Sequence, residues 1–405
     1  FGSSDVLCFL MLLLFVFVVP CAALEIVVGT LLALTGSNSE VAWLHKSYEV
    51  WAAKVTESII QIQGEGLVVR LLTWDHGGNL AQCRTMATDM VVMVDLVFGG
   101  LDEDCTRVVS EVAAAANKTV FSPLALSDEL LASPHALVAV LPPATQLLQP
   151  MAATTPPAIV IHDSSLTSEA ICAGFLSQAA AGSEGKVCDS YTCLFRTMTR
   201  VREAVVVCGS TAYVDRALTV LEASAVNPRS IVVSSPPSVA RERITTILLT
   251  PGAEDLSRAI DLTMGLGAEL QESVGDSLED LASRHGIIGS AVGSVALAAV
   301  TRGWKTGANL PVVDALGALV RDAVPTFLGP LRFGLGSRVA SGHTWHAVEV
   351  DWDPVLQAHV WHRQVVPRTG TSPWAVVDSA CGLGKQRING SCLSCTPGRS
   401  RSLGV

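Results

Sequence analysis

The chain has 405 residues, of which 49% are hydrophobic and 16% charged, a mix that excludes a disordered protein and supplies two or three packed cores. Lys plus Arg number 27 against 37 for Asp plus Glu, and a chain of formal charge -10 is a poor nucleic-acid binder, because phosphate contacts need clustered cations. Mean hydropathy is +0.44, which calls for a membrane span, yet the apolar run Val6–Val19 falls short of the about 20 residues a spanning helix needs. That run reads as the core of a secretory signal. Cys21 and Ala23 put small residues at the minus-three and minus-one positions before Leu24, so residues 1–23 are expected to be removed.

After Leu24 the pattern alternates. Glu25–Leu34 is a near-continuous Ile/Val/Leu run, as a parallel strand buried on both faces should be, and Thr35-Gly36-Ser37 is its turn. A helix is predicted over 40–60, a strand over 67–74, a turn at Asp75-His76-Gly77-Gly78-Asn79 and a helix over 80–92. A strand over 95–98, a helix over 104–116 and a short strand at Val120-Phe121, ended by Ser122-Pro123, complete the first set. The alternation then repeats, with strands over 158–161, 204–208 and 230–233 and helices over 167–181 and 213–223. Strand–helix alternation at this spacing implies βαβ units with right-handed crossovers. The expected fold class is therefore α/β, with two doubly wound lobes, and ligands are expected beyond the carboxyl ends of the strands in the cleft between them. Residues 345–352 and 357–365 alternate like an antiparallel pair around Asp353-Pro354, and from Thr369 onward Gly, Ser and Cys are frequent, as in a stalk.

Of 11 cysteines, Cys8 and Cys21 lie in the signal. The others are Cys83, Cys105, Cys172, Cys188, Cys193, Cys208, Cys381, Cys392 and Cys395. Their number is odd, so at least one is free or joins another chain, and so many cysteines point to an oxidising compartment. Asn117-Lys118-Thr119 and Asn389-Gly390-Ser391 are N-glycosylation sequons that agree with a secretory route. The pairs His343/His346 and His359/His362 stand three apart; on strands that step puts the two on opposite faces, and packing outweighs a metal site. No nucleophile elbow, phosphate loop or zinc-protease motif is present, so the chain is not expected to be an enzyme; no catalytic residue, metal or cofactor is assigned.

The stretch Asp95-Leu-Val-Phe-Gly-Gly through Phe121-Ser-Pro-Leu-Ala-Leu-Ser-Asp-Glu-Leu130 resembles the first lobe of type I periplasmic binding proteins. These include leucine/isoleucine/valine-binding proteins and the ligand-binding regions of natriuretic-peptide and class C G-protein-coupled receptors. Glu25–Gly36 is similar to the family's first strand and turn, Asp75 and Asn79 stand where it carries Asp and Asn, and Phe327–Phe333 is similar to a late Phe-x-Gly-x-x-x-Phe segment. The resemblance implies lobe 1 over 24–142 with 249–325, lobe 2 over 143–248 with 326–370, and a Cys-containing stalk over 371–405. It also implies a Cys83–Cys105 disulfide; the remaining connectivity stays open.

Amino-acid-binding members of the family hold the ligand's carboxylate with a hydroxyl after the third strand and another after the fourth. Here ungapped alignment puts Glu103 and Leu126 at those places, and Thr167, after Asp163, where a second-lobe aromatic hydroxyl is expected. A carboxylate repels a carboxylate, so a leucine-like ligand is disfavoured. The run Asp102-Glu103-Asp104 reads either as recognition of an amine or cation or as acidic charge at a helix start. Thr35, Ser37, Ser122 and Ser127 stand at strand ends facing the expected cleft, with turn capping as the alternative role. The candidate ligand-binding set is thus Thr35, Ser37, Asp102, Glu103, Ser122, Ser127, Asp163 and Thr167.

Taken together, these readings favour the extracellular sensing region of a cell-surface receptor that closes on a small molecule. Such a region would be a homodimer, attached to the membrane by a segment after Val405, with an output domain such as a cyclase or kinase beyond it. The alternatives are a secreted or periplasmic solute-binding protein and a scaffold whose cleft has lost its ligand.

Overall fold

The structure, a computed structural model, describes residues 23–35, 39–58, 60–62, 64–132, 136–235, 237, 244–248, 284–304, 310–326, 328–343, 346–353, 358–365, 385–388 and 391–394. In the first half, strands β1 (Ala23–Leu32), β2 (Gln61–Ile62), β3 (Glu65–Asp75), β4 (Leu96–Phe98), β5 (Val120–Ser122) and β6 (Leu137–Ala139) alternate with helices. The helices are α1 (Ser39–Glu57), α2 (Leu80–Met93), α3 (Glu103–Ala115) and the short α4 (Asp128–Ala132). The strands form one sheet in the order β2-β3-β1-β4-β5-β6, parallel except for β2. The second half of β1 is buried throughout, which explains its unbroken apolar run. β1 pairs with β3 on one side and β4 on the other, so the strand order reverses between β1 and β4.

A crossover with the short helix α5 (Gln149–Ala152) leads to the second sheet. Its elements are β7 (Ala158–His162), α6 (Leu166–Leu176), β8 (Glu184–Val187), α7 (Tyr191–Met198), β9 (Ala204–Cys208), α8 (Thr211–Ala223), β10 (Ser230–Val233) and β11 (Ile244–Leu248). Helix α9 (Arg284–Gly303) and helix α10 (Val312–Leu319) follow, then β12 (Val324–Thr326), β13 (Gly329–Phe333) and β14 (Ala340–Ser341), a small antiparallel sheet. That sheet touches the first one where Ala139 N–H donates to the Arg338 carbonyl at 2.8 Å. The hairpin β15 (His346–Asp353) and β16 (Ala358–Val365) completes the second sheet in the order β16-β15-β11-β10-β9-β7-β8. Strands β17 (Lys385–Ile388) and β18 (Ser391–Ser394) pair antiparallel within the expected stalk, most of which lies outside the described residues, as do Ser37, Cys381, Cys395 and Asn389. The expected signal lies outside them too, apart from Ala23.

The architecture is α/β with two doubly wound lobes and a cleft between them. One buried cluster lines the inner faces of both sheets and runs continuously between them through Leu141, Ala144, Leu147 and Leu148 of the crossover. Within it Phe98 meets Tyr48, Trp51 and Phe121 at ring-centroid distances of 4.8, 5.0 and 6.4 Å. Two glycines permit close helix approach. A Cβ at Gly289 of α9 would lie 1.8 Å from Ser47 Oγ of α1, and one at Gly174 of α6 would lie 1.8 Å from the Thr145 carbonyl oxygen. Helix α9 is long and apolar enough to cross a membrane, but 72% of its most apolar window is buried, as in a core helix.

The expected helix over 167–181 stops at Leu176, where Ser177 Oγ donates back to the Gly174 carbonyl at 2.7 Å and the chain turns through Gly182 at φ +94°. Cys83 and Cys105 form a disulfide, and Cys172–Cys208 and Cys188–Cys193 close two more in the second lobe.

Candidate functional site

The reversal of strand order between β1 and β4 leaves a recess beyond their carboxyl ends, because successive crossovers leave in opposite directions there. Leu31, Leu32 and Ala33 form one wall of this recess, Phe98 to Asp102 another, and His76 and Thr106 close it, leaving about 200 Å3. It opens into a larger interlobe cleft of about 410 Å3 through the shared residues Glu40, Leu101, Asp102 and Ser210. That volume suits a small metabolite.

Lobe 1 supplies carboxylates. Asp102 is the N-cap of α3 and accepts from Cys105 N–H at 3.1 Å. Glu103 follows it, and its Oε1 accepts from both Ser127 Oγ–H at 2.6 Å and Ser127 N–H at 3.1 Å. Lobe 2 supplies hydroxyls at helix starts. Ser165 caps α6 and Ser210 caps α8, so Thr167 and Thr211 stand in the first turns of these helices. Thr167 Oγ–H donates across the cleft to Glu103 Oε2, and Thr211 Oγ–H donates across it to Glu40 Oε1 at 2.6 Å. The positive ends of both helices therefore face lobe 1 carboxylates. The floor comes from Leu141 and Leu147 of the crossover and Ile288 of α9.

No family model matches the sequence, and no curated protein matches it. Solved structures do. LivJ from Streptococcus pneumoniae, a branched-chain amino acid transporter substrate-binding protein solved with isoleucine, superposes with a TM-score of 0.64 at 15% identity over 80% of this chain and 96% of that one. A solute-binding protein of an ABC transporter from Rhodopseudomonas palustris, solved with 3,4-dihydroxybenzoic acid, gives 0.65 at 11% identity over 83% of this chain and 95% of that one. A periplasmic binding protein type 1 from Bordetella pertussis gives 0.67 at 12% identity over 84% and 100%. The chain has the type I periplasmic binding protein fold.

Within this periplasmic binding protein fold the residues singled out by sequence divide into groups. Asp102, Glu103, Asp163 and Thr167 line the cleft, and Ser127 lies behind Glu103. Asp163 accepts from Ser165 N–H at 3.1 Å and Ser165 Oγ–H at 2.6 Å, which fixes the entry to α6. Thr35 instead donates to Asp75, which also accepts from Leu34 N–H at 2.9 Å, Thr35 N–H at 3.0 Å and Gly77 N–H at 2.9 Å. These bonds, the Thr35 hydroxyl foremost, hold the Asp75 carboxyl at about 2. Ser122 is fully buried and accepts from Leu124 N–H at 3.2 Å. Thr35 and Ser122 thus serve turns, and neither lines the cleft. Leu126 is buried in the lobe 1 core rather than placed in the cleft.

Sequence reasoning missed Glu40, Ser210, Thr211, Ser234 and Ser235, all of which line the cleft. Ser234 Oγ accepts from Gly209 N–H at 2.8 Å, which joins the ends of β9 and β10 beneath it. The signal was present as Cys208-Gly209-Ser210-Thr211, a strand end, a turn glycine and an N-cap in succession. His343 Nε2 lies 2.6 Å from the Val140 carbonyl oxygen, and among the described residues no cluster of His, Cys, Asp or Glu could hold a metal.

Proposed function

We propose that the chain is a non-enzymatic binding protein that closes its two lobes on a small molecule outside the cytoplasm. The single observation that carries this is the convergence of both sheets' carboxyl ends, with their helix starts, on one cleft spanned by hydrogen bonds from each side. Such a cleft brings polar groups from both lobes to one ligand, so binding favours the closed arrangement. Three disulfides support an oxidising compartment.

Of the two settings for such a module, delivery of a solute to a transporter is the better supported. The structural neighbours are named as solute-binding proteins, holding isoleucine in one case and hydroxybenzoates in others. A receptor ectodomain, dimeric and membrane-attached, ranks second; its support is the Cys-bearing tail with the Asn389 sequon. Thermal unfolding of the purified chain against amines, amino acids, nucleosides and hydroxybenzoates tests the binding reading. A cognate compound at about 100 times its Kd raises the melting temperature by a few degrees. A flat response across all four classes overturns it.

A further inference from the structure

Glu103 is held from both lobes at once. Its Oε1 accepts two hydrogen bonds from Ser127 of lobe 1, and its Oε2 accepts from Thr167 of lobe 2. These donors, at the end of one lobe's sheet and the start of the other lobe's helix, are what an anionic ligand group would require, and the protein's own side chain takes them all. Glu40 and Thr211 repeat the arrangement with the same polarity, carboxylate from lobe 1 and hydroxyl from lobe 2. We propose that Glu103 is an internal anion that latches the two lobes together and sets the specificity of the cleft, admitting amines without a carboxylate and rejecting α-amino acids.

The ligand class follows from charge. Asp102 and Asp163 line the cleft besides the two glutamates; Asp104 also lines it but pairs with Arg107 at 2.5 Å, His285 lines it from α9, and among the described residues no Lys or Arg lines it. An incoming carboxylate would have to displace Glu103 from its three donors and then lie beside it in a partly enclosed space, where like charges repel strongly. An ammonium group meets the opposite field. The specificity half rests on the proposed binding function; the latch half does not.

Small-angle scattering and thermal unfolding separate the two on the intact chain. Glu103→Ala removes the latch, Thr167→Val removes the donor from the other lobe with little change of shape, and Glu103→Gln removes the charge while keeping the size. The ligand-free wild type is expected to be compact, with a larger radius of gyration for Glu103→Ala and Thr167→Val. The probes are L-leucine and isoamylamine, which is leucine without its carboxylate. Isoamylamine is expected to raise the wild-type melting temperature and leucine to leave it unmoved, while Glu103→Gln gains at least about tenfold in affinity for leucine. An unchanged radius in both Glu103→Ala and Thr167→Val overturns the latch, even if one variant is unstable. Leucine binding to wild type as tightly as to Glu103→Gln overturns the specificity. If the variants open but neither compound moves the melting temperature of any protein, the latch stands and the amine specificity falls.

Discussion

The crossing of α1 and α9 gives a stability prediction whose sign is fixed by geometry. At Gly289 a methyl group would lie 1.8 Å from Ser47 Oγ and 3.1 Å from both Ser47 Cβ and Leu44 Cδ1. Ser47 is fully buried and its hydroxyl donates to the Leu44 carbonyl at 2.7 Å, so the hydroxyl cannot swing away without losing that bond. On an exposed helix, Gly→Ala would stabilise by about 1 kcal/mol through backbone entropy. Here overpacking costs about 1–3 kcal/mol, and the displaced Ser47 hydroxyl about 1 kcal/mol more. Gly289→Ala is therefore expected to destabilise by about 1–3 kcal/mol, seen as a lower urea midpoint at constant slope. Ser47→Ala removes the nearest clashing atom, so the double variant Gly289→Ala/Ser47→Ala should recover part of the loss, a positive coupling in a double-mutant cycle. A neutral or stabilising Gly289→Ala would refute the reasoning, because position 289 would then be facing solvent or a loose neighbour.

Two further predictions concern side chains that tie down backbone next to His76 and Gly99 of the recess. The Asp75 carboxyl is held at about 2, below the usual carboxylate value of about 4, so its contribution to stability is complete above about pH 4 and is lost as pH falls toward 2. Asp75→Asn should accordingly be less stable than wild type near neutrality and converge with it through that window; parallel stability curves from pH 6 to 2 would count against the hydrogen bonds described. Tyr48 is fully buried, burial keeps its phenol protonated well above the ordinary range, and its hydroxyl donates to the Gly99 carbonyl at 2.9 Å. Tyr48→Phe strands that carbonyl beside the recess at a cost of about 1–3 kcal/mol, and a chemical-denaturation loss below about 0.5 kcal/mol would remove the tie between α1 and the β4–α3 turn.

The parts of the fold legible in the sequence were those whose burial is uniform. β9, Ala204–Cys208, is buried at every position and reads as an apolar run of the same bounds. β8, Glu184–Val187, is exposed at every position on the sheet edge, and no periodicity marks it. Helix α7 offers only eight residues behind its Ser190 cap and went unread for the same lack of length. At the site, acidic Asp102-Glu103 was legible as charge at a helix start, but charge alone could not say that Glu103 reaches Thr167, 64 residues away and in the other lobe. Thr35 and Ser122 illustrate the converse: a hydroxyl at a strand end looks available in sequence, but Thr35 is spent on Asp75 at the end of β3, 40 residues away, and Ser122 on the turn to Leu124.

Gly174 has a mechanical consequence. It lies in the same helix as Thr167, and the Thr145 backbone of the interlobe crossover presses against it with no room for a methyl group. With no room to slide between them, the crossover and α6 are held together at this point, as two planks are held by a dowel. The same helix runs about two turns from Gly174 back to Thr167 at the cleft edge, so this remote glycine helps fix where the Thr167 hydroxyl sits.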